Sequence, residues 1–597
     1  MHRCTCRGVA LARRSVKEGI PQVSFPRVRS GPLSINPLRG TPEKLSLRPK
    51  MVLDINLFRK EKGGNPDKIK ESERKRFHDE TNVDKVIEYD EKWRKCIFKL
   101  EELKKNINLV NKEIGNKKKE DKNANVEDLK KKSLTMKEEI PQLQNLERDL
   151  LKQRNKYLSK VGNLLNKDVV ISNDEDNNKV VTTWGVCKRL EVITDESSEE
   201  NKSGKGGSKD GGSNKREVPS SSSISGGVVH PNSSIEGKKY YYHFDLLRKI
   251  GGANFKKGIQ VAGHRGYYLT GAGFLLHNAI LQYAINFLVS KNYTPVYPPF
   301  FMKKNIMEEC AELDDFEETL YKIASSGGNS TATTGTASGA PVSKNLNQND
   351  ELSRDDLFLI ATSEQPLCAL HKDETIESKY LPLKYAGVSS CFRKEAGAHG
   401  KDIRGILRVH QFDKIEQFCL SLPQTSSKVH KQMMKTCEEF YQSLNIPYRI
   451  VSIVSGALNN AAAIKYDLEG YFPSSNQYRE LVSCSNCTDY QSNNLNVKYV
   501  DSSVRITDVK EDRKKKENTG DHQDDDDDDE IGSDHEEFLK NFHTESRNNV
   551  HLLNGTMVAA QRFLCCLLEN YQNGEGIVVP EKLRPYMNNV DFIPFIE

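Results

Sequence analysis

Arg393, Glu395, Arg408, His410, Phe412, Lys414 and Glu416 fall within one short stretch, CFRKEAGAHGKDIRGILRVHQFDKIEQF, at 391–418. Its loop carries Gly397, Gly400 and Gly405 between two runs that read as strands. A strand alternates its side chains, so Arg393 and Glu395 share one face, while Arg408, His410, Phe412, Lys414 and Glu416 share another. Guanidinium, ammonium, carboxylate and an aromatic ring on one surface suit a triphosphate and a flat base. His399, Lys401 and Arg404 add positive charge where glycine frees the backbone. The competing reading is a solvated ladder of cross-strand ion pairs.

A second stretch, HLLNGTMVAAQRFLCCLLENYQ at 551–572, reads as a helix. It is apolar along Met557, Ala560, Leu564, Leu567 and Tyr571 and small along Gly555, Ala559 and Cys566, which lets that side lie close to a sheet. Arg562 falls on the small side and can pass its guanidinium toward the sheet; pairing with Glu569 is the alternative. Cys484 and Cys487 form a single CxxC with no second pair nearby, weak grounds for zinc, so buried strand thiols and no structural zinc are expected.

These residues need a large frame, and 597 residues exceed what one core holds, so two or more domains are expected. The net charge of +5 is a balance of long basic and acidic runs, which makes local fields matter more than the sum. The 13 cysteines are mostly scattered, the pattern of reduced thiols in an intracellular protein. Residues 1–50 hold eleven Lys and Arg against two Glu, with several Ser and Pro. That composition fits an organellar transit segment, or else a dispensable extension ahead of Met51. The uncharged run YYLTGAGFLLHNAILQYAINFLVS is long enough to mimic a membrane span, but His277, Asn278, Gln282 and Asn286 make a polar stripe at helical spacing, so an amphipathic soluble helix is expected.

Val86, Trp93, Leu100, Ile107 and Ile114 recur every seven residues, with Tyr89, Cys96, Leu103 and Val110 three positions on. GNKKKEDKNAN breaks the pattern, and Leu129, Met136, Leu143, Leu150, Tyr157 and Leu164 resume it. Two such helices joined by a polar turn form an antiparallel coiled-coil hairpin with arms roughly 45 Å long and a local kink at Pro141. Lys and Arg crowd its outer faces, which suits either dimerisation or a grip on a polyanion. Stretches near 194–237, 325–355 and 507–541 lack apolar periodicity and are expected to be disordered insertions.

Taken in order, YTPVYPPFFMKKN, LFLIATSEQPLCALH, the charged hairpin, YRELVSCSNCTDYQ and the Arg562 segment resemble the eukaryotic cytosolic type of seryl-tRNA synthetase, a class II aminoacyl-tRNA synthetase. The resemblance covers nearly everything from Met51 to Glu597 outside the insertions. It implies an α+β fold: an N-terminal antiparallel coiled-coil arm, then an antiparallel sheet flanked by helices. The expected organisation is a basic extension at 1–50, a tRNA-binding arm at 51–170, a connector at 171–238 and a catalytic domain at 239–597. Pro298 matches the motif that builds the family's dimer interface, so a homodimer is implied.

The same resemblance assigns roles. Arg393 and Arg562 would be the catalytic arginines, on the α- and γ-phosphates of ATP. Glu395, Val409, His410, Gln411 and Phe412 would hold the nucleotide, with Phe412 stacked on adenine. Glu480 and Ser483 would contact ATP and its Mg²⁺, whose preference for hard oxygen ligands they meet. Thr362, Glu364, Arg393, Glu416, Asn554 and Thr556 would hold serine. The implied activity is ATP-dependent formation of seryl-adenylate and transfer of the seryl group to serine tRNA, in the cytoplasm and without a membrane. Two rivals are weighed: a non-catalytic tRNA-binding paralogue, against which stands the presence of Arg393, Glu416 and Arg562, and a class II enzyme for another small amino acid.

Overall fold

The computed structural model describes residues 53–121, 125–188, 240–310, 319–323, 356–395, 404–501 and 548–596. The basic segment 1–50 and the three low-complexity stretches lie outside the described residues.

The heptad pattern becomes two long helices. After a short helix α1 (Pro66–Lys75), α2 spans Thr81–Glu120 and α3 spans Glu127–Leu158. They run antiparallel: the Tyr89 and Tyr157 rings stack at 5.6 Å, Trp93 Nε1 donates to Glu147 at 2.9 Å, and Ser133 Oγ donates to Asn111 at 2.9 Å. Val86, Cys96, Leu100, Ile107, Val110 and Leu143 are buried along the seam. The arms are longer than the heptads implied, about 60 Å and about 48 Å at 1.5 Å per residue, because α2 continues through Gly115–Glu120, where the apolar seam has already ended. Pro141 sits inside an unbroken α3, facing solvent, while Leu164 lies past the end of that helix.

The root of the arm is tied to the sheet domain by buried polar contacts. Arg76 donates to the carbonyls of Asn163 at 2.9 Å and Ala462 at 2.5 Å. Asn163 Nδ2 donates to the carbonyls of Ala461 and Cys487, each at 2.8 Å, and the Tyr490 hydroxyl donates to Val161 O at 2.8 Å. A buried guanidinium and amide satisfied this fully hold a joint in one geometry.

The sheet has eight strands: β1 (Lys179–Trp184), β2 (Thr294–Val296), β3 (Leu383–Phe392), β4 (Gln411–Ser421), β5 (Tyr448–Ser452), β6 (Ile464–Phe472), β7 (Gln477–Asn486) and β8 (His551–Ala559). Their order is β1-β5-β6-β7-β8-β4-β3-β2, antiparallel except where β2 runs parallel to β3. Residues 179–184, expected as connector, are thus the edge strand of the sheet, paired with β5. The segment 551–572, expected as one helix, is strand β8 followed by a helix from Ala560 to Tyr571. β8 is central and buried on both faces, and a strand buried on both sides carries no apolar/polar alternation to separate it from a buried helix.

Six further helices matter here: α4 (His243–Lys249), α5 (Gly271–Ser290), α6 (Glu364–Cys368), α7 (Ser426–Ser443), α8 (Tyr490–Leu495) and α9 (Ala560–Tyr571). Leu276, Ile280 and Leu288 of α5, Met433 and Phe440 of α7, and Phe563 and Leu567 of α9 form one core with Ile415, Cys419, Val482 and Leu553 of the strands. α5 is long and apolar enough to cross a membrane by length and composition alone, yet Leu276, Ala279, Ile280, Ala284 and Leu288 are wholly buried in that core. Gln282 and Asn286 are exposed as expected; His277 instead turns inward to Asp413, 3.2 Å away.

Candidate active site

Strand β4 sorts the charged hairpin by parity. Its odd positions Ile415 and Cys419 enter the main core, and Gln417 donates to Met433 O. Phe412 and Lys414 on the even side line a cavity of about 280 Å³, closed by Arg393, Glu395, Arg408, Val409, Glu480, Thr556 and Arg562. Both arginines singled out in the sequence therefore meet in one hollow, from strands and helices far apart in the chain. The Arg393 guanidinium lies 5.3 Å over the Phe412 ring, and its Nε donates to Ala361 O at 3.4 Å. Arg562, in the first turn of α9, donates to Glu480 O at 2.9 Å, and its Nη1 is 3.7 Å from Glu480 Oε1. Glu569, the alternative partner of Arg562, pairs instead with His243 at 3.0 Å. Glu395 lies 3.7 Å from Arg265 and 3.9 Å from Arg408.

The hairpin closes later than the sequence implied. β3 ends at Phe392 and β4 begins at Gln411, so Arg393, Glu395, Arg408 and His410 sit beyond the strand ends and do not follow the expected alternation. The side chains of His410 and Gln411 line a second cavity of about 490 Å³ on the other side of β4, with Tyr267, His277 and Asp413. His410 Nδ1 is held at 3.0 Å from Arg393 O, which braces the base of the arginine from behind.

Adjoining the first cavity is a smaller polar cluster. Glu416 is 2 % exposed, its Oε2 2.7 Å from Lys414 Nζ and 3.3 Å from Thr362 Oγ1. Lys414 also reaches Thr362 Oγ1, at 3.3 Å. Glu364 Oε1 accepts from Asn554 Nδ2 at 2.9 Å and from Gln491 Nε2 at 3.2 Å. Burial pushes the Glu364 carboxyl up to about 7, with the Glu416 charge adding to the shift and Lys414 and Arg393 opposing it. Two carboxylates, a threonine hydroxyl and an amide around one small space can hold an ammonium and a hydroxyl together.

Two β-bulges set which residues reach these spaces. In β8, Thr556 pairs with Glu416 and Val558 with Ile415, leaving Met557 as the extra residue; its carbonyl accepts from the Tyr441 hydroxyl at 3.3 Å. Thr556 and Ala559 therefore both line the cavity, although strict alternation would place them on opposite faces. In β7, Leu481 is the extra residue between the Glu480–Glu469 and Val482–Leu468 pairs. Leu481 and Val482 both enter the core, which leaves Glu480 and Ser483 on the same opposite face.

The Asp467 carboxyl stands beside the Ser483 hydroxyl and near Glu480. Its Oδ1 is buried without a hydrogen-bond partner, and Oδ2 is 3.6 Å from Lys465. Carboxylate and hydroxyl oxygens are the ligand type a hard divalent cation such as Mg²⁺ prefers, although among the described residues no cluster of three or more His, Cys, Asp or Glu side chains is gathered to hold a metal. Cys484 and Cys487 are buried at the end of β7, and Cys487 Sγ lies 3.4 Å from Asn554 Nδ2. Among the described residues every cysteine is a free thiol.

The sequence put Lys414 on the charged face without assigning it a role, and it left out Gln491 and Asp467. Lys414 was legible, since it alternates with Phe412 and Glu416. Gln491 and Asp467 arrive from α8 and β6, and only the fold brings them in.

Comparison with known proteins places this geometry. Residues 52–165 match the family model described as the seryl-tRNA synthetase N-terminal domain, and residues 346–510 match the tRNA synthetase class II core domain (G, H, P, S and T). The chain is 39% identical over 548 residues to a serine–tRNA ligase of Helianthus annuus, covering 92% of this chain and 99% of that protein. It is 39% identical over 576 residues to a cytoplasmic serine–tRNA ligase of Rattus norvegicus, covering 92% of each. Among solved structures it resembles the cytoplasmic serine–tRNA ligase of Naegleria fowleri in complex with AMP, with a TM-score of 0.65, 39% identity, and 92% of this chain and 100% of that one covered. It also resembles the seryl-tRNA synthetase of Pyrococcus horikoshii complexed with ATP, with a TM-score of 0.66, 29% identity, and 91% and 100% covered.

Proposed function

The chain belongs to the seryl-tRNA synthetase family, and on that premise we propose that it activates L-serine with ATP and transfers the seryl group to serine tRNA. The observation that carries this is the meeting of Arg393, Glu395, Phe412 and Arg562 in one cavity beside the Thr362–Glu364–Glu416 cluster.

In the first step a serine carboxylate oxygen attacks the α-phosphorus of ATP. The new C(O)–O–P bond forms as the bond to the β-phosphate bridging oxygen breaks, and pyrophosphate leaves. On this reading Arg393 grips the α-phosphate and offsets charge growing at phosphorus, and Arg562 holds the far end of the triphosphate. Phe412 offers its ring to adenine and Glu395 an acceptor for the adenine amino group. Glu364, Glu416 and Thr362, with Asn554 and Thr556, orient the serine ammonium and hydroxyl. Catalysis on this reading is positioning and electrostatics, with no covalent protein nucleophile.

Glu480 and Ser483 are the residues that would hold Mg²⁺, which when bound neutralises phosphate charge. In the second step a ribose hydroxyl at the tRNA 3′ end attacks the seryl carbonyl, and AMP leaves.

The α2–α3 arm, with Lys and Arg on its outer faces, suits an RNA backbone read by shape. A homodimer and a cytoplasmic location complete the reading: Tyr297, Phe301 and Phe274 leave large apolar surface open around Pro298 and α5, and the rat relative is cytoplasmic. The test is serine-dependent exchange of labelled pyrophosphate into ATP, followed by charging of serine tRNA. A non-catalytic paralogue would bind tRNA and support neither.

A further inference from the structure

The reaction as described makes no use of His243, the first residue of α4, yet this side chain is buried between the two elements that wall the nucleotide cavity. Its ring Nδ1 is 3.0 Å and its backbone N 3.1 Å from Glu569 Oε1, on the same helix as Arg562. Its Nε2 is 3.3 Å from Arg404 O, where the chain enters the limb that carries Leu407, Arg408 and Val409 into the cavity. The other Glu569 oxygen, Oε2, accepts from Ser474 Oγ at 2.5 Å.

Both ring nitrogens lie within hydrogen-bond distance of oxygens that can only accept, a carboxylate and a carbonyl, so the ring donates to both when each nitrogen carries a proton. In that form the imidazolium is balanced by the Glu569 carboxylate; burial lowers the His243 pKa, while the neighbouring Cys565 and then Glu569 raise it, to about 10. Gly405 follows directly, with φ at +76°, and a Cβ there would come within 2.9 Å of the His243 Cδ2 and Nε2. The limb is thus turned by glycine hard against the ring, while the Arg404 guanidinium lies 5.9 Å over Phe244.

We propose that His243 is a positioning residue for ATP, a doubly donating clamp that fixes the limb 404–409 relative to the helix carrying Arg562. It touches neither substrate; it sets the distance between two walls of the nucleotide cavity. The inference rests on the proposed activation reaction.

The test is steady-state pyrophosphate exchange by the full-length enzyme and by His243→Ala, His243→Gln and Gly405→Ala, with ATP and serine varied separately. His243→Ala is expected to raise KM for ATP about tenfold, the effect of losing one charge-assisted hydrogen bond, with KM for serine within about twofold. His243→Gln, which keeps one donor, should recover part of that loss. Gly405→Ala reaches the same contact from the limb side, so it decides the matter if His243→Ala does not fold. A purely structural role would move both KM values together or lower only the yield, and that result, or an unchanged KM for ATP, overturns the proposal. If the unaltered enzyme shows no serine-dependent exchange, the activation reading itself fails, an outcome distinct from either.

Discussion

Asn554 Nδ2 lies 2.9 Å from Glu364 Oε1, joining central strand β8 to helix α6 at the floor of the polar cluster. The contact fixes the orientation of a carboxyl that burial and the Glu416 charge hold near pH 7 in its titration. An amide donor of this kind favours the ionised form without supplying a full charge, so the carboxyl stays poised to accept an ammonium.

Serine binding should therefore tighten as pH rises through about 7, where Glu364 loses its proton. The linkage has the opposite sign for stability. The folded chain binds this proton more tightly than the unfolded chain, so the Glu364 contribution falls as pH rises from the ordinary carboxylate range to about 7. Glu364→Gln should flatten both dependences. Urea midpoints at pH 5 and pH 8, set beside KM for serine at the same values, check it.

Arg393→Ala and Arg562→Ala should each reduce pyrophosphate exchange by about 10²–10³-fold, the usual loss when one charge-stabilising donor is removed. Neither guanidinium belongs to the hydrophobic core, so thermal midpoints should move little. Comparable exchange by either variant would remove that arginine from the phosphate-binding role.

The joint formed by Arg76 and Asn163 fixes where the arm can be cut. Replacing 97–142 with a short turn, above the packed pair Cys96 and Leu143, leaves that joint intact. Exchange should persist and tRNA charging should be lost. Equal loss of both activities would make the arm chiefly a structural element. In the intact enzyme, raised salt should weaken tRNA binding far more than serine binding.

Specificity should rest on the hydroxyl. A pocket built around a hydrogen-bonded hydroxyl penalises its absence strongly, so alanine should be activated at least ~10²-fold less efficiently than serine; one added methyl is worth only ~1–3 kcal/mol, so threonine is the sharper competitor. Competition assays with each amino acid measure both ratios.

Much of this was legible in the chain itself. The heptads at Val86–Val110 gave the arm, and Phe412, Lys414 and Glu416 kept their shared face. Where the reading missed, a physical reason is visible. β8 is buried on both faces, with Asn554 and Thr556 set among apolar neighbours, so residues 551–559 lacked the alternation that marks a strand. The bulges at Met557 and Leu481 shift parity by one residue, and no propensity in the sequence announces them. The path of the chain between 393 and 410 follows no periodicity, and only the fold shows that His410 and Gln411, at the start of β4, line a second cavity.

The most direct measurement is ATP–pyrophosphate exchange by the purified protein with each of the twenty amino acids supplied singly. Strong exchange is expected with serine and little with any other, threonine and alanine included. Absence of serine-dependent exchange in folded protein, or equal exchange with a different amino acid, would contradict this expectation.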